Sequence, residues 1–186
     1  MKKGILLVLC ILFLMSCGKN DLKSEFDCGS STLNAEMKEY RDVLKKFRVA
    51  VPLHWKTQLY YDEFQSQLYS ADTTKSINEA YIVDISWHQG ELALDQYFDQ
   101  TVKDTLAIKE QLSYLKSSLS KFQDRPSYWN LSKGKTGKHD YHFLQVYVKT
   151  APDEYFTMST KVIGNQDVEQ RLCNAIALYQ GMEFIE

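Results

Sequence analysis

Two hydrophobic periods alternate along the chain. Residues 47–52 (FRVAVP) set Phe47, Val49 and Val51 against Arg48 and Ala50, which predicts a strand ended by Pro52. Residues 57–69 (TQLYYDEFQSQLY) alternate less regularly and are rich in aromatics. They predict a second strand with Tyr60, Phe64 and Leu68 on one side and Leu59 and Tyr61 on the other. Residues 80–88 (AYIVDISWH) give the clearest alternation. Tyr81, Val83, Ile85 and Trp87 share one face, and Ala80 and Ile82 make the other half apolar, as in a strand covered on both sides.

After Gly90 the period lengthens. Leu94, Phe98, Val102, Thr105, Ile108, Leu112, Leu115 and Leu119 recur every three to four residues, predicting one long or two shorter amphipathic helices closed by Pro126. Residues 127–164 then read as three strands, with turns at Gly134/Gly137 and at Ala151-Pro152-Asp153. In the middle one His142, Leu144, Val146 and Val148 face one way and Tyr141, Phe143 and Tyr147 the other. A last helix is expected after an Asn165 cap, with Val168, Leu172, Ala175, Ile176 and Tyr179 as its buried stripe and Gly181 as its stop. Ahead of the first strand, residues 34–46 (NAEMKEYRDVLKK) space Met37, Tyr40, Val43 and Leu44 as a short helix capped by Asn34.

The order is therefore helix, three strands, helix, three strands, helix. Hairpin connections dominate, so the expected fold is α+β, a largely antiparallel sheet of about six strands covered by helices, as one domain over 34–186. The proportions, 44% apolar and 25% charged over 186 residues, are those of a globular chain. The net charge of −2 supplies no basic footprint for nucleic acid.

The N-terminus stands apart from this domain. Lys2 and Lys3 precede an apolar run from Gly4 to Met15, far short of the roughly 20 residues a spanning helix needs. The run ends in Leu14-Met15-Ser16-Cys17, which resembles the lipobox of bacterial lipoproteins. The resemblance implies removal of residues 1–16 as a signal peptide and lipidation of Cys17 as the first mature residue; a plain secretory signal with an incidental Cys17 is the alternative. One acyl chain anchors marginally and two or three anchor stably. Residues 17–33, polar and small, are expected to form a flexible tether.

The element order, opened by "FRVAVPLHW" with Pro52, His54 and Trp55, resembles the PsbP-like α/β/α sandwich over about residues 47–186. That group holds the extrinsic photosystem II protein PsbP, the Ran-binding Mog proteins and small bacterial envelope lipoproteins. The resemblance implies a non-catalytic scaffold that binds partner proteins.

Chemistry-bearing motifs are sparse. There is no G-x-S-x-G, P-loop, G-x-G-x-x-G, H-E-x-x-H or C-x-x-C, and no cofactor or metal is expected. His139 and His142 lie three apart on a strand and so point to opposite faces, which disfavours a shared ion. His88 with Asp84 is the one pair on which an enzyme could be built. Lys133, Lys135 and Lys138 read as a solvated hairpin tip that keeps an edge from pairing, with contact to lipid headgroups or an acidic partner as the alternative. Cys28 and Cys173, the remaining mature cysteines, are a candidate disulfide in an exported chain, with two unpaired thiols as the alternative. Tyr60, Tyr61, Tyr69, Tyr128 and Trp129 are candidates for an interface, or else core.

The function expected is that of a non-enzymatic, lipid-anchored interaction module of the bacterial cell envelope. Its membrane is expected to be the outer one, reached through Cys17, and its partner an envelope protein. The alternative is a carrier of a small apolar ligand held between sheet and helices.

Overall fold

The computed structural model describes residues 21–29 and 33–185. Within them the chain forms α1 (Leu22–Glu25), β1 (Met37–Arg41), β2 (Phe47–Pro52), β3 (Lys56–Tyr61), β4 (Gln65–Ala71) and β5 (Tyr81–Gln89). It continues through α2 (Gln96–Ile108), β6 (Ser113–Phe122), β7 (Arg125–Thr136), β8 (His139–Ala151), β9 (Glu154–Ile163), α3 (Val168–Gln180) and β10 (Glu183–Phe184). Seven strands make one antiparallel sheet in the order β3-β4-β5-β9-β8-β7-β6, and β1, β2 and β10 make a second, smaller one. The lipobox residues Leu14 to Cys17 lie outside the described residues.

The expected α+β architecture is present, with several local corrections. Residues 34–46 do not form a helix. Met37–Arg41 pair antiparallel with β2, from Met37 opposite Pro52 to Arg41 opposite Arg48. The reversal is set by the buried Asp42, whose Oδ1 accepts from the Phe47 amide at 2.7 Å and Oδ2 from the Leu44 amide at 3.1 Å. A lone helix of that length is marginal in water, so sheet pairing outweighs the local propensity. Residues 57–69 are a hairpin, β3 and β4, rather than one strand; Asp62 Oδ1 caps its turn by accepting from the Phe64 amide at 2.8 Å.

The third correction concerns residues 91–125. Asp95 caps α2 by accepting from the Phe98 amide at 2.9 Å, but the helix ends at Ile108. The left-handed Gln111 (φ 54) turns the chain, and the serine-rich residues 113–122 join the sheet as β6. Leu115 and Leu119, spaced as if on a helix, are exposed on this edge strand, and Leu115 sits at a bulge between Tyr114 and Lys116. Pro126 accordingly falls near the start of β7. At the last helix the cap is Asp167, not Asn165, whose amide donates to Asp140 Oδ2 at 3.3 Å instead.

Both faces of the large sheet carry apolar side chains, and each has its own cover. On the first face Val83, Ile85, Leu144, Val146, Val148, Met158 and Trp129 pack against α3 (Leu172, Ala175, Ile176, Tyr179) and the small sheet (Phe47, Val49, Val51). On the second, α2 lays Phe98, Val102 and Leu106 over Tyr128, Tyr141, Phe143 and Tyr147. Gly134 lies within β7, not at a turn. A Cβ there would meet Leu112 Cδ2 at 2.3 Å and the Tyr141 ring at 2.9 Å, so only glycine admits this packing.

Residues 21–29 belong to the domain rather than to a tether. Leu22 is 1% exposed in the main core, and Phe26 lies against Trp129 with ring centroids 5.0 Å apart. A disulfide joins Cys28 to Cys173 on α3, with Cα atoms 5.3 Å apart and a sequence separation of 145.

Candidate functional site

The helices divide unequally over the second face. α2 covers only the β6–β8 end, and no helix of the described residues lies over β3, β4, β5 and β9. The period of two places a continuous set of side chains on this uncovered half. Strand register sets them in rows. One row runs Tyr60, Gln67, Ser86, Thr157 and reaches α2 at Tyr147; the next runs Gln58, Tyr69, Asp84, Ser159, Gln145; a third pairs Gln65, His88 and Tyr155. The second row ends beneath α2 at Asn130, whose buried amide has no hydrogen-bond partner among the described residues.

Polar groups on this face are fixed by one another. Asp84 accepts from Gln67 Nε2 and, at 2.9 Å, from Ser86 Oγ. Burial pushes the Asp84 carboxyl above the ordinary carboxylate range, against the pull of those two hydrogen bonds. Burial likewise raises the Tyr69 hydroxyl, and the neighbouring Asp84 charge adds to the effect. His88 stacks on Tyr155 with centroids 4.8 Å apart, and its Nε2 is 2.9 Å from Thr157 Oγ1. Burial holds His88 below the ordinary imidazole value, which favours its neutral form. Asp84 and His88 do not converge. Four residues apart on one strand, they stand roughly 13 Å from each other and bind different partners. An acid–base pair built on them is therefore not what this geometry offers.

The five aromatics singled out from sequence separate cleanly. Tyr60 and Tyr61 are 50% and 64% exposed, and Tyr69 is half-buried in the open face. Tyr128 and Trp129 are core instead, at 1% and 2% exposure. They are adjacent on β7 and point to opposite faces, and both faces are covered there. Tyr128 donates to Asp99 Oδ1 on α2 at 2.8 Å, and Trp129 packs under Phe26. Two residues sequence reading missed complete the surface. Tyr155 has the same parity on β9 as Thr157 and Ser159. Phe64, 57% exposed, stands at the β3–β4 turn.

Two larger recesses lie elsewhere. A cleft of about 660 Å³ beside the disulfide is lined by Phe26, Leu115, Leu131, His142 and Leu172 together with Glu25, Lys116 and Asp167. One of about 550 Å³ holds the His54–Asp72 pair (3.4 Å) near Arg171, whose guanidinium donates to the carbonyls of Ala80, Ile163 and Gln166. Among the described residues no three His, Cys, Asp or Glu side chains gather as a metal would require. Lys133 and Lys135 both approach Asp140 at 3.9 Å.

No family model matches the sequence, and no curated protein is significantly similar to it. Solved structures are similar in fold. The cyanobacterial PsbP of Synechocystis sp. PCC 6803 superposes with a TM-score of 0.58 at 9% identity, over 85% of this chain and 97% of that one. The fold is PsbP-like. A protein from Bacteroides thetaiotaomicron follows with a TM-score of 0.51 and 13% identity, over 80% of this chain and 48% of the other. At these identities the PsbP-like likeness speaks for the fold alone.

Proposed function

We propose that this is a lipid-anchored protein of the bacterial envelope that acts by binding another protein, not by catalysis. The observation that carries the reading is the uncovered half of the large sheet. It presents Tyr60, Tyr69, Tyr155 and His88 among fixed polar groups, and aromatic side chains with polar tips are the residues that interfaces favour. The titratable groups on it are engaged with their neighbours, so they offer recognition more readily than acid–base chemistry. The Leu14-Met15-Ser16-Cys17 resemblance supports the anchor, and through it the envelope address.

Two experiments test this. A photo-cross-linking residue at Tyr69, in cells, should capture a protein that the same residue at the remote Lys135 does not. Equal capture at both positions, or none at Tyr69 with a lipid co-purifying in place of a protein, would end the partner reading and favour the apolar-ligand carrier. Labelled palmitate should enter the wild type and not Cys17→Ser; equal labelling would remove the anchor.

A further inference from the structure

The two outer strands of the large sheet are treated differently. β6 has a bulge between Tyr114 and Lys116 and two lysines, and Lys116 reaches α1, lying 4.2 Å over the Phe26 ring and donating to the Glu25 carbonyl at 3.2 Å. These are the devices that keep an edge from pairing. β3 has no bulge, and its one lysine, Lys56, stands at its end, leaving Thr57 to Tyr61 uncharged. Its register with β4 runs unbroken from Lys56 opposite Ala71 to Tyr61 opposite Ser66, and among the described residues nothing pairs with its outer side. Leu59, Tyr60 and Tyr61 are all exposed along it.

The hairpin fixes which backbone groups face outward. The Asp62 amide donates inward to the Gln65 carbonyl at 2.9 Å. Counting back by two, the N–H and C=O groups of Thr57, Leu59 and Tyr61 point away from β4. A two-fold axis normal to the sheet pairs a strand with its own copy only between residues of the same parity. Centred on Leu59, such pairing sets Leu59 against Leu59, Thr57 against Tyr61, Gln58 against Tyr60, and Lys56 against Asp62. The outward groups of Thr57, Leu59 and Tyr61 are then those that form the ladder. Lys56 and Asp62, both exposed, supply an opposite-charge pair at each end.

We propose that two copies of this chain pair antiparallel through β3, centred on Leu59, to form one continuous sheet. The axis leaves both uncovered faces on the same side, so the dimer presents them as a single platform. This pairing stands on the edge of the sheet and does not depend on what the face binds.

The test uses the full chain in detergent, with unlabelled and ¹⁵N-labelled copies mixed. A zero-length carbodiimide should join Lys56 to Asp62 between light and heavy copies. Within one copy these residues stand roughly 20 Å apart at opposite ends of β3, so the link reports only on pairing between molecules. In sedimentation, Lys56→Asp and Asp62→Lys should each weaken self-association at least about tenfold, since each places like charges at both ends of the pairing. Mixing the two variants, or combining both changes in one chain, should restore it. A chain that stays monomeric at ~1 mM, in the range of effective concentrations that tethering supplies, would overturn the proposal. So would a dimer that neither single charge change weakens. Cross-linking at Tyr69 in the Lys56→Asp variant reads the partner face separately.

Discussion

Replacing Cys28 and Cys173 by serine should release residues 21–29 while leaving the rest of the domain folded. The bond spans 145 residues, for which loop-closure entropy gives about 5 kcal/mol of stabilisation. The segment's own apolar attachments fall short of what ordering it costs. Leu22 and Phe26 contribute about 1.5–3 kcal/mol each at most, and ordering the backbone costs ~1–2 kcal/mol for every residue from 21 to 29. Without the cross-link, burial does not offset that cost. The expected stability loss is about 2–5 kcal/mol, below the full loop figure because the freed segment regains entropy in the native state too. Hydrogen exchange is the decisive assay. The Ser24 and Glu25 amides, bonded to the Asp21 carbonyl, and the Cys28 amide, bonded to that of Lys23, should exchange as in an unfolded chain, while amides of β8 and β9 stay protected. Protection of the segment in the double variant, with an unchanged urea midpoint, would refute this reasoning.

Three further outcomes follow from the packing and the charges. Gly134→Ala should lose about 1–3 kcal/mol in urea unfolding, because its methyl group enters space held by Leu112 and Tyr141. Tyr128→Phe should cost about 1–3 kcal/mol by removing a hydrogen bond to a charged carboxylate. At Asp99 burial pushes the carboxyl up, but hydrogen bonds from Lys103, Tyr128 and Ser117 outweigh it and leave it below the ordinary range. Its contribution is therefore present above the unfolded-state value and lost as pH falls through the folded one, and a pH series of melts should show that acid-side loss shrink in Tyr128→Phe. Asp84 has the opposite sign. Its raised value means the native state gains on protonation, so Asp84→Asn should be more stable than wild type near pH 7, and the gap should close as the pH is lowered through the folded-state value of Asp84.

Strands with strict alternation, β2, β5 and β8, were legible in sequence because each buries a whole face, and a shift of one residue would expose it. β1 was not legible: Met37–Arg41 has helix-favouring side chains and becomes a strand only because β2 offers an edge. β6 misled for a related reason. Leu112, Leu115 and Leu119 keep helical spacing, yet only Leu112 is buried, from the loop after α2, so the spacing records no common face. The open face was legible in its members but not in its exposure. Period two groups Tyr69, Asp84 and His88, but only the three-dimensional position of α2 separates a covered Tyr128 from an uncovered Tyr155. Trp129 followed the same rule in reverse, since Phe26, from a stretch read as tether, closes over it.

The Cys28–Cys173 bond also decides how the domain bears load. A pull on the chain ahead of residue 21 reaches Leu22, then the disulfide, and enters the fold on α3. The chain between the two cysteines hangs outside that line of tension, and β1 and β2, first in sequence among the strands, are spared being peeled from the sheet. A load applied at the N-terminal end would thus enter at the middle of the last helix and be resisted by a covalent bond before any hydrogen-bonded strand is strained.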